Sequence, residues 1–139
     1  MSAAANKERV RHILGAYAQS DLEPLLQAIH PDIVWITQAP SAYYPFGGRH
    51  EGRAGTLAGV AKIATVYSLN RYDVVELVAE GDVVWLTANL DFTHRKSGAR
   101  LQFQLVGRWE FRDGKILKLT EYFDSASVLE QEGRLAATG

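Results

Sequence analysis

The chain has 139 residues, of which 47% are hydrophobic and 22% are charged, a size and composition typical of one soluble globular domain. A formal net charge of −1 argues against nucleic-acid or membrane partners, and the absence of cysteine excludes disulfides, thiolate catalysis and cysteine-ligated metals. No apolar run approaches the roughly 20 residues that span a bilayer, and residues 1–8 lack the apolar core of a signal peptide, so a cytoplasmic protein is expected.

Two helices are predicted at the start of the chain. The first begins near Lys7 with Asn6 as its N-cap, because an asparagine side chain accepts from the free amide groups of a helix start. Its apolar face has helical spacing and comprises Val10, Ile13, Leu14, Tyr17 and Ala18. Ser20 or Asp21 caps the second helix, which His30-Pro31-Asp32 ends. Its buried stripe comprises Leu22, Leu25, Leu26 and Ile29.

A short strand, a long loop and a third helix are predicted next. Residues 33–38 favour a strand, because β-branched and aromatic side chains suit extended backbone. Residues 39–55 contain two prolines and four glycines, and a loop of this length in a small domain is usually functional. Thr56 is expected to cap a helix that runs to about Ser68. Its buried face comprises Leu57, Val60, Ile63, Ala64 and Tyr67.

Four further strands are predicted at residues 72–79, 83–94, 100–111 and 116–123. Asp113-Gly114 is a strong hairpin signal, because glycine adopts the positive φ that such a turn needs. The second and third of these strands each have one apolar and one polar row of side chains. A last helix at 127–135 follows, with Asp124 or Ser125 as its cap. This order predicts an α+β fold with helices gathered on one face of an antiparallel sheet.

Glu121 interrupts the apolar row of the last strand. Leu117, Leu119 and Phe123 point to the same side, because side chains alternate along a strand. A carboxylate on a core-facing row is costly unless it is paired or functional. Two interpretations follow. Glu121 is a general base or acid whose pKa is raised towards neutrality, or it is a structural carboxylate held by an arginine, a tyrosine or a backbone group.

Two segments carry a resemblance to a known superfamily. Pro45-Phe-Gly-Gly-Arg-His-Glu-Gly52 before a helix, with Asp113-Gly-Lys-Ile116 and Glu121-Tyr-Phe-Asp124 near the end, resembles the SnoaL-like, ketosteroid-isomerase-related branch of the nuclear-transport-factor-2-like superfamily. The resemblance covers essentially the whole chain and implies a single domain over residues 1–139. It implies a cone-shaped, curved antiparallel sheet packed against three N-terminal helices around an internal apolar pocket. It also implies a homodimer that forms through the outer face of the sheet.

Members of this superfamily include isomerases, polyketide cyclases, dehydratases, epoxide hydrolases and modules that only bind ligands. Limonene-epoxide-hydrolase-like members open a similar Asp-Tyr-Phe-Asp run with a catalytic aspartate, and that position matches Glu121. Those enzymes also have an arginine and an aspartate on the long strand before the glycine turn, and an ungapped match places Ala88 and Leu90 at these two positions. A shift by one residue offers Asn89 and Asp91 instead, but this contradicts the apolar row. The resemblance therefore gives little support for an epoxide hydrolase.

Other superfamily positions are matched in part. Ketosteroid isomerases use two acids and a tyrosine, but the second acid falls near Gly107 here and the helix tyrosine is one turn away from Tyr17. Steroid isomerisation by that mechanism is not expected. A polar residue two positions before a proline on the first strand matches Gln38.

Three polar residues are candidates for a role beside Glu121. Gln38 orients a substrate oxygen or ties down the strand end. Tyr17 donates its hydroxyl into the pocket or belongs to the core with that hydroxyl at the rim. His50 shuttles protons near neutral pH or is a solvated loop residue. No metal site is expected, because the other histidines lack the spacing of paired ligands: His12, His30 and His94.

Aromatic and apolar residues complete the predicted pocket. Trp35, Tyr43 and Tyr44 form an aromatic mouth for a flat or hydrophobic ligand, or else they pin the loop by packing. Residues on the apolar rows that are expected to contact the ligand are Phe103, Leu105 and Phe123.

The sequence therefore predicts a small-molecule pocket protein that performs acid–base chemistry without a cofactor. Glu121 is the predicted general base, and the substrate is an apolar molecule that contains a carbonyl group. The reaction is expected to be an isomerisation, an aldol-type cyclisation or a dehydration. One alternative is a ligand-binding or dimerisation module without chemistry, and a weaker one is an epoxide hydrolase.

Overall fold

The computed structural model describes residues 2–135 and has the α+β order that the sequence predicts. The helices are α1 (Ala3–Tyr17), α2 (Glu23–Ala28), α3 (Gly52–Val66) and α4 (Ser125–Gln131). The strands are β1 (Ile29–Gln38), β2 (Gly48–Glu51), β3 (Tyr67–Glu80), β4 (Val83–His94), β5 (Arg100–Arg112) and β6 (Lys115–Phe123).

The six strands form one curved, open sheet in the order β2-β1-β6-β5-β4-β3. Strands β3 to β6 form the predicted antiparallel meander, and β-bulges in β3 and between β5 and β6 bend it. The sheet is not wholly antiparallel, because β1 pairs with β6 in parallel. The chain leaves β1 through the β2 hairpin and α3, and it re-enters the sheet at the opposite edge as β3.

The N-terminal helix begins earlier than the sequence predicts. Ser2, not Asn6, is its N-cap, and the Ser2 hydroxyl accepts a hydrogen bond of 3.1 Å from the Ala5 amide. The helix extends back to Ala3 because the intervening alanines favour helical backbone. Asn6 consequently lies inside α1, where it is fully buried and its side-chain amide has no hydrogen-bond partner.

The sequence predicts that the segment around Pro31 ends a helix, and this prediction is wrong. The segment lies within β1, which begins at Ile29. The pairing of β1 with β6 shifts register between Ile29 and Val34, and a proline is tolerated at such an irregularity because no ladder hydrogen bond is needed there. Asp21 accepts from the Glu23 amide at 3.1 Å before α2, although Leu22 occupies the N-cap position.

The predicted loop at 39–55 is shorter in the structure, because residues 48–51 form β2. Helix α3 starts at Gly52 and not at Thr56, which is buried inside it, and it ends at Val66. Strand β3 is accordingly longer than predicted. The last helix is shorter than residues 127–135, and its N-cap is confirmed as Asp124, which accepts from the Ser127 amide at 3.0 Å.

The apolar rows of the meander face the helices, as predicted. Helix α1 packs against β3 and β4, and α3 packs against β1. Buried residues on the inner face of β4 and β5 are Val84, Leu86, Ala88, Leu90, Phe92, Leu101, Leu105, Trp109 and Phe111. None of the described helices is both long and apolar enough to cross a membrane.

Candidate active site

A cavity of about 120 Å³ lies between the helices and the concave face of the sheet. Most of its wall is apolar. Among the described residues that line it, the one carboxylic acid is Glu121 on β6. The other polar groups in the wall belong to Tyr17, Trp35, Thr37, Tyr44, Thr56, Tyr67, Tyr72 and Trp109.

Glu121 is held by the side chain of Trp35. The Trp35 indole Nε1 donates a hydrogen bond of 2.6 Å to Oε1 of the carboxylate. Burial raises the pKa of Glu121 from 4.5 to about 7, and the Trp35 hydrogen bond acts in the opposite direction. Part of the Glu121 surface is accessible because the residue borders the cavity. Trp35 is the side-chain donor that the structure shows for Glu121.

Two tyrosines lie close enough to Glu121 to respond to its charge. The rings of Tyr17 on α1 and Tyr72 on β3 pack edge to face at 5.8 Å. Burial, with a contribution from Glu121, raises the pKa of Tyr17 to about 12. The same two causes raise the pKa of Tyr72 well above its usual value. Both hydroxyls therefore stay protonated near neutral pH and are potential hydrogen-bond donors.

His50 lies behind Trp35 and not in the cavity wall. The two rings stack at 4.7 Å with an interplanar angle of 24°. Burial lowers the pKa of His50, so the ring is neutral near pH 7. Gly59 of α3 allows this stack, because a Cβ atom there would meet Cζ3 of Trp35 at 2.5 Å and Nε2 of His50 at 3.1 Å. The stack fixes the ring that holds Glu121.

Other aromatic rings of the cavity wall contact one another. Phe92 stacks on Phe103 at 6.1 Å, and Phe103 contacts Phe123 at 5.1 Å. Tyr44 packs edge to face on Phe123, and its hydroxyl donates to the backbone oxygen of Ser125 at 2.5 Å. This hydrogen bond joins the loop between β1 and β2 to the start of α4.

A second hydrogen bond ties β3 to the C-terminal segment. The Tyr67 hydroxyl donates to Oε1 of Glu132 at 3.1 Å, and Arg134 pairs with the other oxygen of that carboxylate at 2.9 Å. Tyr67 also lines the cavity. The two hydrogen bonds therefore connect the loop between β1 and β2, and strand β3, to the C-terminal segment.

The family model described as SnoaL-like domain matches residues 10–119. The chain belongs to the SnoaL-like domain family. This match ends two residues before Glu121, so it does not bear on the candidate acid. No curated protein matches the chain.

Solved structures show the nuclear-transport-factor-2-like fold of this SnoaL-like chain. One is an NTF2-like protein of unknown function from Burkholderia pseudomallei, with 23% identity, a TM-score of 0.84 and coverage of 94% of this chain and 98% of that one. Another is TerC co-crystallised with polyporic acid (26% identity, TM-score 0.80, coverage 91% and 97%). A third is an LEH-like epoxide hydrolase from M. tuberculosis (19% identity, TM-score 0.76, coverage 95% and 92%).

The SnoaL-like fold brings most of the sequence-predicted site residues to one cavity. The predicted residues that line it are Tyr17, Trp35, Tyr44, Phe103, Leu105, Glu121 and Phe123. Their functional roles stay predictions. Three candidates are elsewhere: His50 lies behind Trp35, Tyr43 is exposed on the loop, and Gln38 is exposed on the sheet.

Gln38 was expected at the pocket, but the structure places it on the outer face of the sheet. It is exposed and pairs with Tyr122, which is also exposed. Thr37 faces the cavity instead and pairs with Glu121 in the parallel register. Trp35 and Gln38 are three residues apart, and residues separated by an odd number lie on opposite faces of a strand.

Sequence reasoning missed Tyr72, Thr37 and Thr56 as cavity residues. The sequence predicts Tyr72 as the first residue of a strand. In the structure β3 starts five residues earlier, so Tyr72 lies inside the strand. Thr37 was identifiable from the alternation of Ile33 and Trp35, which it continues on the inner face. Thr56 was expected at the helix terminus, where a buried position is unusual.

The groups that an epoxide hydrolase would need are not in the cavity. Ala88 and Leu90 occupy the inner face of β4. Asp91 does not line the cavity, and it pairs with Arg100 at 2.5 Å and accepts from Gln102 at 3.0 Å. These bonds hold the pKa of Asp91 well below its usual range. Within residues 2–135, no three His, Asp or Glu side chains are grouped as metal ligands.

Proposed function

We propose that this protein is a cofactor-free acid–base enzyme that moves a proton at a carbon beside a carbonyl group, with Glu121 as its general base. One observation carries the proposal: a carboxylate whose pKa is raised to about 7 lies in an apolar cavity. A base with a pKa near the working pH combines a useful deprotonated fraction with a strong tendency to accept a proton. Structural carboxylates also have perturbed pKa values, so geometry must support the role.

The cavity geometry supports proton abstraction. Trp35 holds Oε1 of Glu121, and Oε2 is the oxygen that we propose faces the ligand. Oε2 takes the proton from the α-carbon, and the electron pair of the broken C–H bond forms the C=C bond of an enolate. The negative charge moves to the carbonyl oxygen. The protonated hydroxyls of Tyr17 and Tyr72 are the candidate donors to that oxygen.

Three outcomes are open to the enolate. Return of the proton from Glu121 to a different carbon gives an isomer. Loss of hydroxide from the β-carbon gives a dehydrated product, and attack on a second carbonyl carbon of the same substrate closes a ring. Each outcome uses the same first step, which makes that step the appropriate one to test.

The test is exchange of α-protons with solvent deuterium, measured by ¹H NMR on cyclohexanone in D₂O. The wild-type protein is expected to accelerate exchange, and Glu121→Gln is expected to remove the acceleration while keeping the fold. The matched control is Glu76→Gln, which changes an exposed glutamate on β3. Equal exchange rates for wild type and Glu121→Gln would reject the base role.

A ligand-binding module without chemistry is the second candidate. The observation in its favour is that the described wall of the cavity contains a single acid, with no second carboxylate to protonate or activate a substrate. Position Gly107, where ketosteroid isomerases have a second acid, pairs with Glu121, and a Cβ atom there would lie 3.0 Å from the Trp109 indole nitrogen. Binding of cyclohexanone without any α-proton exchange would favour this candidate.

We also propose that the protein forms a homodimer through the outer face of the sheet. Large apolar side chains are exposed there: Val78 is 62% accessible, Trp85 43% and Tyr122 40%. Val78 on β3 and Trp85 on β4 are cross-strand partners. Tyr122 on β6 pairs with the half-buried Val106 on β5. An exposed apolar patch on a sheet is typical of a protein–protein contact.

A further inference from the structure

We propose that the ligand of this cavity is an electrically neutral molecule about the size of one six-membered ring. This inference deepens the proposed function and rests on it in one respect, namely that a ligand carbonyl lies beside Glu121. Size, shape and charge of the cavity each contribute separately to it.

Size is the first argument. The cavity measures about 120 Å³. Pockets for drug-sized ligands measure roughly 300–1,000 Å³, whereas an enclosed apolar cavity of about 150 Å³ holds benzene. A single six-membered ring is therefore the ligand size closest to this cavity, and several fused rings require the walls to move apart. Those walls are hydrogen-bonded to one another through Tyr44 and Ser125 and through Tyr67 and Glu132.

Shape is the second argument. Phe92 and Phe103 stack with an interplanar angle of 11°, and Phe103 and Phe123 lie at 38° to one another. A ring is the ligand shape that contacts such aromatic faces over the largest area. The hydroxyls of Tyr17 and Tyr72, which also line the cavity, are potential donors to a polar substituent on such a ring. A ring that carries one polar substituent therefore matches this lining.

Charge is the third argument. No lysine, arginine or histidine lies among the described residues of the wall, and the acid there is Glu121. An anionic ligand would lose its hydration and meet no positive group. A cationic ligand would pair with Glu121, but both ions would lose their hydration in an apolar enclosure, which offsets the attraction. For a neutral ketone the loss of hydration is smaller than for either ion, because its carbonyl oxygen needs only one or two hydrogen bonds.

Binding of a set of probes tests the inference. The reporter is the Trp35 indole N–H resonance in ¹H–¹⁵N NMR, since that group donates to Glu121. Cyclohexanone is the neutral single ring, 1-tetralone has two fused rings, and androst-4-ene-3,17-dione has four. Cyclohexanecarboxylate and protonated cyclohexylamine are the charged single rings. Cyclohexanone is expected to shift the resonance to saturation and to bind at least tenfold more tightly than each of the other four.

Several results would overturn the inference. These are tighter binding of the two-ring or four-ring ketone, or binding of the carboxylate or the ammonium ion at least as tight as that of cyclohexanone. Enlarging the cavity checks the size argument directly. Phe103→Ala, or Val60→Ala if the first variant does not fold, is expected to improve tetralone binding at least fivefold, whereas Val75→Ala on the exposed surface leaves it unchanged. Unchanged tetralone binding in the enlarged variant would reject the size argument.

The experiments distinguish a failure of this inference from a failure of the proposed function. Binding is measured without turnover, so cyclohexanone that binds in this pattern but exchanges no proton rejects the base role of Glu121 and supports the inference. Enzyme-catalysed exchange of a larger ketone, together with no binding of cyclohexanone, supports the base role and rejects the inference.

Discussion

Glu121 differs from a surface glutamate because its protonation is coupled to folding. Its pKa is about 7 in the folded protein and near its ordinary value of 4.5 in the unfolded chain. Between these two values the folded protein holds a proton that the unfolded chain has already lost. Stability linked to this proton is fully present below pH 4.5, and it is lost as the pH rises towards 7.

Glu121→Gln is therefore expected to flatten the dependence of stability on pH. From the two pKa values, the wild-type protein should lose about 3 kcal/mol of unfolding free energy between pH 4.5 and pH 8 through this group. The glutamine variant cannot ionise and should not show this loss. Urea unfolding at pH 5 and pH 8 measures the difference.

Glu76→Gln is the control for this measurement, because Glu76 is exposed and its removal should leave the pH dependence as in wild type. A Glu121→Gln variant whose stability falls with pH as steeply as wild type would show that folding does not raise the pKa of Glu121. That result would also remove the observation on which the proposed base role depends.

At the level of helices and strands, alternation of side chains predicts which residues face the cavity. The rows on β4 and β5 are those that the sequence indicates, and Glu121 lies among them as expected. The error at Gln38 came from a family match that overrode this alternation, since Trp35 and Gln38 were both assigned to the pocket. Thr37 satisfies the alternation, and the structure places it beside Glu121.

Other features depend on contacts that no local pattern encodes. The parallel pairing of β1 with β6 joins residues 84 to 87 positions apart, and turn residues do not specify its direction. Strand β2 has only four residues, too few for a periodic signal. Helix α3 begins at Gly52, a positive-φ glycine that the sequence suggests as loop. Tertiary pairing decides all three.

Gly59→Ala tests how closely α3 packs on β1. The new methyl group would lie 2.5 Å from Trp35 Cζ3, so the helix or the ring must move. A loss of about 1–3 kcal/mol of unfolding free energy is expected from this overpacking, with a shift of the Trp35 indole resonance. Urea unfolding and ¹H–¹⁵N NMR provide the two readouts.

Gly15→Ala is the matched control, because Gly15 lies in α1 with nothing within 4 Å of the added Cβ. Alanine should stabilise that helix by up to about 1 kcal/mol. If both alanine variants were stabilised alike, Gly59 would not be a close-packing position, and the Trp35–His50 stack would not depend on it.

On the scale of the whole molecule, the sheet presents two faces with different expected tasks. The concave face and the helices enclose the cavity around Glu121. The outer face carries Val78, Trp85 and Tyr122, whose exposure in the single chain is explained if a second chain covers them. Because alternate residues of the same strands form both faces, substitutions on the outer face should alter assembly while leaving the cavity wall unchanged.

Trp85→Ser is expected to weaken the proposed dimer at least tenfold. Trp85 is 43% accessible in the single chain, and a tryptophan at the centre of an interface often contributes 2 kcal/mol or more to binding. Sedimentation velocity over a micromolar concentration series measures the dissociation constant. The control is Tyr43→Ser, which removes a similarly exposed aromatic ring from the loop between β1 and β2. A wild-type protein that sediments as a monomer, or equal weakening by both variants, would reject the outer face of the sheet as the dimer contact.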